Sequence, residues 1–354
     1  MYMEVATLNN IDYKKFSQIN LNDSFFDSLR QDYDGFDEWF QRKKDQYAFV
    51  QYDDHNKIIG FLYLKIENQI VNDIIPNIIA NTILKVGTFK IEAHGTKMGE
   101  QFIKKIMDYA INNNVDVCYA TIFPKQNSLI NLVEQFGFNL YGQKCTGNNI
   151  ENVYLKQMKS LTNNIYKDYP YINTSSARKY LLSIYPKYHS IMFPDSILKT
   201  ENPNNITDVS YSNSINKIYV CTMPQVTDLK YGDIVVIYRT AEYGQYAKYT
   251  SVATSLCVVE SVKTQDEFAS FDEFYKYSCK YNLFNRNDLR YWYNKGNCKA
   301  IKMTYNAAFK KRIVRNDLLV DIGLDASLYW GFFELTDQQF HKIAQKGLVD
   351  NILF

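Results

Sequence analysis

Two periods of apolar and polar positions alternate along the first 160 residues. Residues 3–8 read as a short strand. Over 16–44, Phe25, Phe26, Leu29, Phe36, Trp39 and Phe40 fall at helical spacing. That stretch is one helix or, because Asp34-Gly35 is a turn signal, two. Residues 47–52 and 58–66 are β-rich runs around Asp53-Asp54-His55-Asn56, which predicts a hairpin. A strand over 83–92 precedes a helix over 98–112, whose Phe102, Ile103, Ile106, Met107 and Ala110 share one face. A strand over 115–123, a helix over 126–136 stopped by Gly137, and closing strands at 138–141 and 153–155 complete this half.

The pattern then weakens, and Ser, Thr, Asn and Pro concentrate between 156 and 176. The expected organisation is a domain over 1–158, a linker over 159–175 and a second domain over 176–354. In the second domain, 177–184, 266–277, 287–293 and 337–345 read as helical, and 215–220, 233–240, 247–260 and 299–305 as strands. Many strands with a few helices predict an α+β, barrel-like domain.

Composition narrows the class. The chain has 354 residues, 46% hydrophobic and 22% charged, enough apolar surface to offset the ordering entropy of a globular protein of about two domains. No run approaches 18 apolar residues and no basic-then-apolar leader opens the chain, so neither a membrane span nor a secretory signal is expected. The six cysteines are scattered without a CxxC pair. That speaks against a disulfide framework or a zinc site and fits reduced thiols in the cytoplasm. Basic residues number 17 against 19 acidic up to residue 160, and 23 against 19 beyond it. The second half therefore suits an anionic partner, but the small excess disfavours sequence-independent coating of DNA.

The densest chemistry lies where the 83–92 strand runs into the 98–112 helix. A short loop with Gly95 and, just inside the helix, Gly99 points free backbone N–H groups at one spot. The helix dipole adds positive potential, and Lys97 a charge. A pyrophosphate fits such a cradle; an ordinary strand–turn–helix crossover is the plainer reading.

Two motifs, taken with the order of elements, resemble the GNAT N-acetyltransferase superfamily over residues 1–158. His94-Gly-Thr-Lys-Met-Gly99 stands where that family has its acetyl-CoA pyrophosphate loop. Asn127-Ser-Leu-Ile-Asn-Leu-Val-Glu-Gln-Phe-Gly-Phe138 stands where it has a later Asn-to-Gly-Phe element. The chain departs from the pattern at His94, usually Arg or Gln, and at Lys97, which replaces a glycine. It departs again at Val133, where many members carry a tyrosine that protonates the departing thiolate.

The resemblance implies acetyl-CoA as cofactor and a mixed sheet whose strands at 83–92 and 115–123 splay to open an acyl slot. Phe89, Ile91, His94, Gly95, Thr96, Lys97, Met98, Gly99, Glu100 and Asn127 would then contact the coenzyme. Glu92 is the general-base candidate or a solvated strand-end carboxylate. Glu100 otherwise complements the helix dipole. Tyr119 and Tyr154 are candidate proton donors or core aromatics.

In the second half, Gly232-Asp followed by an apolar strand, then a long Ala/Val-rich strand closing on Glu260, resembles the PUA-like barrel group that includes ASCH and EVE domains. A preceding Tyr-His-Ser-Ile-Met-Phe-Pro-Asp run over 188–195 is similar to one in bacterial proteins that join the two domain types. The resemblance implies binding of RNA or another nucleic acid in a cleft of cations and aromatics. Lys187, His189, Lys217, Tyr238, Arg239, Lys248 and Arg286 are the candidates; surface charge or packed tyrosine is the alternative for each.

Three functions follow as expectations. The first is an N-acetyltransferase whose second domain presents a nucleic-acid-linked substrate. The second is a weakly active or inactive CoA-binding scaffold that serves as a nucleic-acid-binding module. The third is an acetyltransferase whose barrel only mediates dimerisation.

Overall fold

A computed structural model describes residues 11–92, 98–146, 149–193, 196, 214–279 and 284–354. The chain forms two compact units, divided between Ser160 and Leu161.

The first unit is a seven-stranded sheet in the order β1-β2-β3-β4-β5-β7-β6. The strands are β1 (Ile11–Lys15), β2 (Tyr47–Tyr52), β3 (Ile58–Val71), β4 (Ile78–Ile91), β5 (Val117–Ile122), β6 (Asn139–Thr146) and β7 (Asn149–Gln157). β4 and β5 are parallel and every other pairing is antiparallel. The expected 16–44 helix resolves into short 3-10 turns followed by α1 (Asp27–Asp32) and α2 (Phe36–Arg42). Gly35, at φ +72°, breaks it in the left-handed conformation that glycine tolerates. The aromatic stripe is core: Phe16, Phe25, Phe26, Phe36 and Phe40 bury against Phe61 and Tyr63 of β3. At about 1.5–3 kcal/mol per fully buried large apolar side chain, this cluster dominates that layer.

The opposite face is covered by α3 (Met98–Asn112) and α4 (Asn127–Gln135). Phe102, Ile103, Ile106, Met107 and Ala110 of α3 are buried, as their spacing predicts. Gly60 lets Phe102 approach, since a Cβ there would lie 2.6 Å from the ring. Gly137, at φ +86°, ends α4.

The second unit is a six-stranded sheet in the order β13-β8-β10-β11-β12-β9. Its strands are β8 (Lys179–Ile184), β9 (Asn216–Cys221), β10 (Ile234–Arg239), β11 (Val252–Thr264), β12 (Lys299–Val314) and β13 (Phe332–Leu335). Its helices are α5 (Pro186–Met192), α6 (Ala247–Thr250), α7 (Phe271–Ser278), α8 (Arg286–Lys295), α9 (Arg315–Asp317) and α10 (Asp337–Gly347). All six strands contribute to one core, including Leu182, Tyr219, Ile237, Cys257, Ile301 and Phe332. The Tyr219 hydroxyl of β9 reaches to 3.5 Å from the Ser183 carbonyl of β8, although three strands separate the two in the order. The sheet is therefore curled around its core in the barrel-like manner expected.

Three expectations are corrected. Residues 177–184 are not helical. They contribute β8, which is covered on both faces and paired on both edges, so it lacks the alternation that marks a half-exposed strand. The first residues of the 247–260 run form the turn of α6 rather than strand. Residues 161–175 are not a free linker but pack into the second unit. Tyr169 is buried and its hydroxyl donates to the Tyr305 carbonyl at 3.1 Å. Asp168 accepts from the Thr162 N–H and hydroxyl, both at 2.7 Å.

Candidate functional site

The β4–β5 ladder is short. It runs from Ile83↔Val117 to Val86↔Ala120 and ends there, although β4 continues to Ile91 and β5 to Ile122. At that point β4 carries a bulge: Tyr63 pairs with Thr88 and Leu64 with Val86, which leaves Gly87 as the extra residue. A bulge bends its strand and sharpens the local twist. Here it turns β4 aside as the parallel pairing stops, and the two strands part.

The gap opens into a cleft of about 1610 Å³. Phe89 and Ile91 of β4 line it, with Ala120 and Thr121 of β5, Gly99 and Glu100 in the first turn of α3, and Asn127 at the start of α4. Five of the expected coenzyme contacts are thus brought together. Met98 is buried beside Gly60 and is not part of the wall. His94, Gly95, Thr96 and Lys97 lie outside the described residues. Gly99 has a packing role as well, because a Cβ there would lie 2.8 Å from a Leu132 methyl.

The expected acid–base residues are placed differently. Glu92 is outside the cleft wall; its N–H donates to the Ile59 carbonyl at 3.0 Å and its carboxylate is 3.6 Å from Lys90 Nζ. Tyr154 is buried on β7, and Val133 is buried rather than facing the cleft. Tyr119 is fully buried, and its hydroxyl donates to Glu67 Oε2 at 2.7 Å. Burial, then the Glu67 carboxylate, push that phenol well above its ordinary range.

Glu67 of β3 lines the cleft and was not singled out by the sequence. Burial alone would raise its pKa, but hydrogen bonds from Lys65 at 2.8 Å and from Tyr119, with the charges of Lys85 and Lys65, hold it below the ordinary carboxylate value. Its partner Tyr119 is 52 residues on, so no local pattern marks it. On the facing side, the Tyr33 hydroxyl donates to Glu151 Oε1 at 2.8 Å, and both residues line the cleft.

In the second unit, four of the seven candidates are buried: His189, Lys217, Tyr238 and Arg239. His189 Nε2 is 2.8 Å from Thr254 Oγ1, and its ring packs 5.5 Å from Phe193. Lys217 Nζ lies 5.8 Å from the Phe193 ring and 5.7 Å from the Tyr305 ring. Burial, then Arg239 and Arg312, push His189 down to about 3, so its imidazole is neutral. A chain of hydroxyls adjoins it: Ser196 Oγ is 2.7 Å from Ser255 Oγ and 3.1 Å from the Tyr305 hydroxyl. Arg239 reaches Glu242 at 2.8 Å.

The rest of the set does not converge. Tyr238 turns to the other face of its strand, with its ring 5.3 Å from that of Trp330. Lys187, Lys248 and Arg286 are exposed, Arg286 against Asp272 and the Tyr275 ring. Cys118, Cys221, Cys257 and Cys298 are buried free thiols. Among the described residues no helix is long and apolar enough to cross a membrane.

No protein-family model and no curated protein matches the chain. Solved structures do. An ASCH protein from Zymomonas mobilis is similar at 9% identity over 47% of this chain and 94% of that one, with a TM-score of 0.32. The N-acetyltransferase PseH of Campylobacter jejuni is similar at 17% identity over 42% and 99%, with a TM-score of 0.28. Arabidopsis thaliana NAA60, solved with acetyl-CoA, is similar at 16% identity over 42% and 99%, with a TM-score of 0.30. In its mixed sheet and in the parting of its parallel pair, the first unit has the arrangement that the acetyltransferase resemblance implies.

Proposed function

We propose that the chain is an acetyl-CoA-dependent N-acetyltransferase in which an acceptor amine attacks the thioester directly. The observation that carries this reading is the parting of β4 from β5 at the Gly87 bulge, which opens the cleft. An extended pantetheine arm is satisfied by the open backbone edge of β4 beyond Val86. The first turns of α3 and α4, through Gly99, Glu100 and Asn127, would hold the diphosphate end, where backbone N–H groups and the helix dipole favour anions. Acetyl-CoA supplies the activated acyl group.

The chain's own residues have three tasks. They place the amine at the mouth of the gap, keep it neutral and accept its surplus proton. The amine nitrogen would form the new C–N bond as the C–S bond breaks; coenzyme A would leave as the thiolate and take up a proton from water, which balances the proton that the chain accepts from the amine. Glu67, ionised and within the cleft, is the proton acceptor we assign in place of Glu92. Val133 is not the thiol's proton donor.

The second unit, in this reading, recruits RNA or another nucleic acid. Support comes from the buried gathering of His189, Lys217, Arg239 and Arg312 around Phe193, Thr254 and Tyr305, which brings together the cations and aromatic rings that nucleic-acid recognition uses.

Acetyl-CoA is expected to raise the melting temperature of the full chain. Gly99→Asp abolishes the rise, and Gly99→Ala reports the packing cost alone. No shift at millimolar acetyl-CoA removes the enzymatic reading. Binding of tRNA at low salt, weakened by Arg239→Ala, tests the second unit; no binding of tRNA or oligonucleotides removes that part.

A further inference from the structure

Lys65 of β3 and Lys85 of β4 are direct partners across the sheet, and both line the cleft. Like charges opposite one another on adjacent strands are destabilising. More positive charge gathers beside them. Arg42 and Lys43 at the end of α2 and Lys144 of β6 line the same cleft. Lys43 Nζ lies 5.5 Å from the Tyr63 ring centroid. Lys65 is offset by Glu67 at 2.8 Å and Lys144 by Asp73 at 2.5 Å. Lys85 Nζ lies 5.7 Å from the centroid of the Tyr119 ring, with no carboxylate in ion-pair range among the described residues. Burial and Lys144, with Lys65, depress Lys85 against the pull of Glu67 and Asp73. Burial, Lys65 and Arg42 depress Lys43.

This cluster is on the opposite face of the sheet from the coenzyme contacts. Phe89 packs on Phe102 of α3 at 5.7 Å, whereas Tyr63, beside the lysines, packs on Trp39 of α2 at 5.9 Å. The coenzyme's phosphates are therefore not what it offsets. We propose, resting on the acetyltransferase reading, that Lys43, Lys65 and Lys85 bind an anionic group on the acceptor, so that the enzyme acetylates an amine carried by a phosphorylated or carboxylated molecule. The same positive field serves the chemistry. It disfavours the ammonium form of the incoming amine and leaves the lone pair free to attack.

The test uses matched amines on the full chain: ethanolamine against phosphoethanolamine, and glucosamine against its 6-phosphate. Affinity is read by calorimetry with and without saturating coenzyme A. At least tenfold tighter binding of the phosphorylated partner is expected, unaffected by coenzyme A. The Lys65→Met/Lys85→Met variant is expected to lose that advantage while keeping its acetyl-CoA thermal shift. Three results would overturn the proposal: equal binding within each pair, displacement of the phosphorylated amine by coenzyme A, or an unchanged preference in the double variant. A missing acetyl-CoA shift with the phosphate preference intact instead removes the acetyltransferase reading and leaves an anion site.

Discussion

Gly87 and Tyr63 determine each other. A Cβ on Gly87 would lie 2.7 Å from Tyr63 Cδ1. Tyr63 has no room to retreat, since it is buried against Phe16 at 5.3 Å and Trp39 at 5.9 Å. The aromatic core under α2 thus fixes the bulge, and the bulge fixes where β4 leaves β5.

Gly87→Ala is expected to cost about 1–3 kcal/mol in urea unfolding, as overpacking does in a dense core. It should also reduce the acetyl-CoA thermal shift. Removing the ring as well, in Gly87→Ala/Tyr63→Leu, should recover part of both losses. A double variant no better than the sum of the two singles would separate the bulge from the ring.

Glu67→Gln keeps an acceptor for the Tyr119 hydroxyl but removes the charge. The depressed carboxylate contributes stability that is full above its ordinary value of 4.5 and is lost as pH falls through the lower folded value. The stability gap between wild type and variant should therefore be widest above the ordinary value of 4.5 and narrow as the pH falls below it. Activity should fall in kcat more than in KM. An unchanged kcat would show that Glu67 only positions Tyr119.

His189 gives the opposite signature. In the unfolded chain it takes up a proton near 6.5, and in the fold only near about 3. Between those values the unfolded state binds more protons, so stability should fall by about 1.4 kcal/mol for each unit of acidification below 6.5. Above that pH the residue contributes no slope. Denaturant melts at pH 4.5 to 7.5 should show this slope in wild type and its loss in His189→Gln.

Val133→Tyr tests the motif departure. Val133 is buried, with 2% of its surface exposed. A phenol there overpacks α4, and the expected result is a loss of about 1–3 kcal/mol in a urea melt. A gain in acetyl transfer would show instead that the ring finds the cleft.

The legible parts of this chain were those with a strong local signal. α3 and α4 followed their apolar spacing and Gly137, and the β2–β3 hairpin followed Asp53 to Asn56. β8 is not legible as a strand because one covered on both faces has no alternation to display. The polar run after Ser160 suggested a linker, but its Tyr169, Tyr171 and Ile172 are core residues. Glu67 was hidden for another reason: its environment comes from Tyr119 and Lys85, which only strand pairing brings near. His189 and Arg239 are candidates by residue type alone, and their depth in the second unit is a tertiary property.

The pairing of Lys65 with Lys85 across β3 and β4 also bears on how this protein is handled. If these lysines take an anion as proposed, sulfate or inorganic phosphate in a storage buffer would occupy the same site, lending thermal robustness while competing with the substrate. A preparation dialysed into a chloride buffer of low ionic strength would be the more fragile of the two, and the more responsive in an assay.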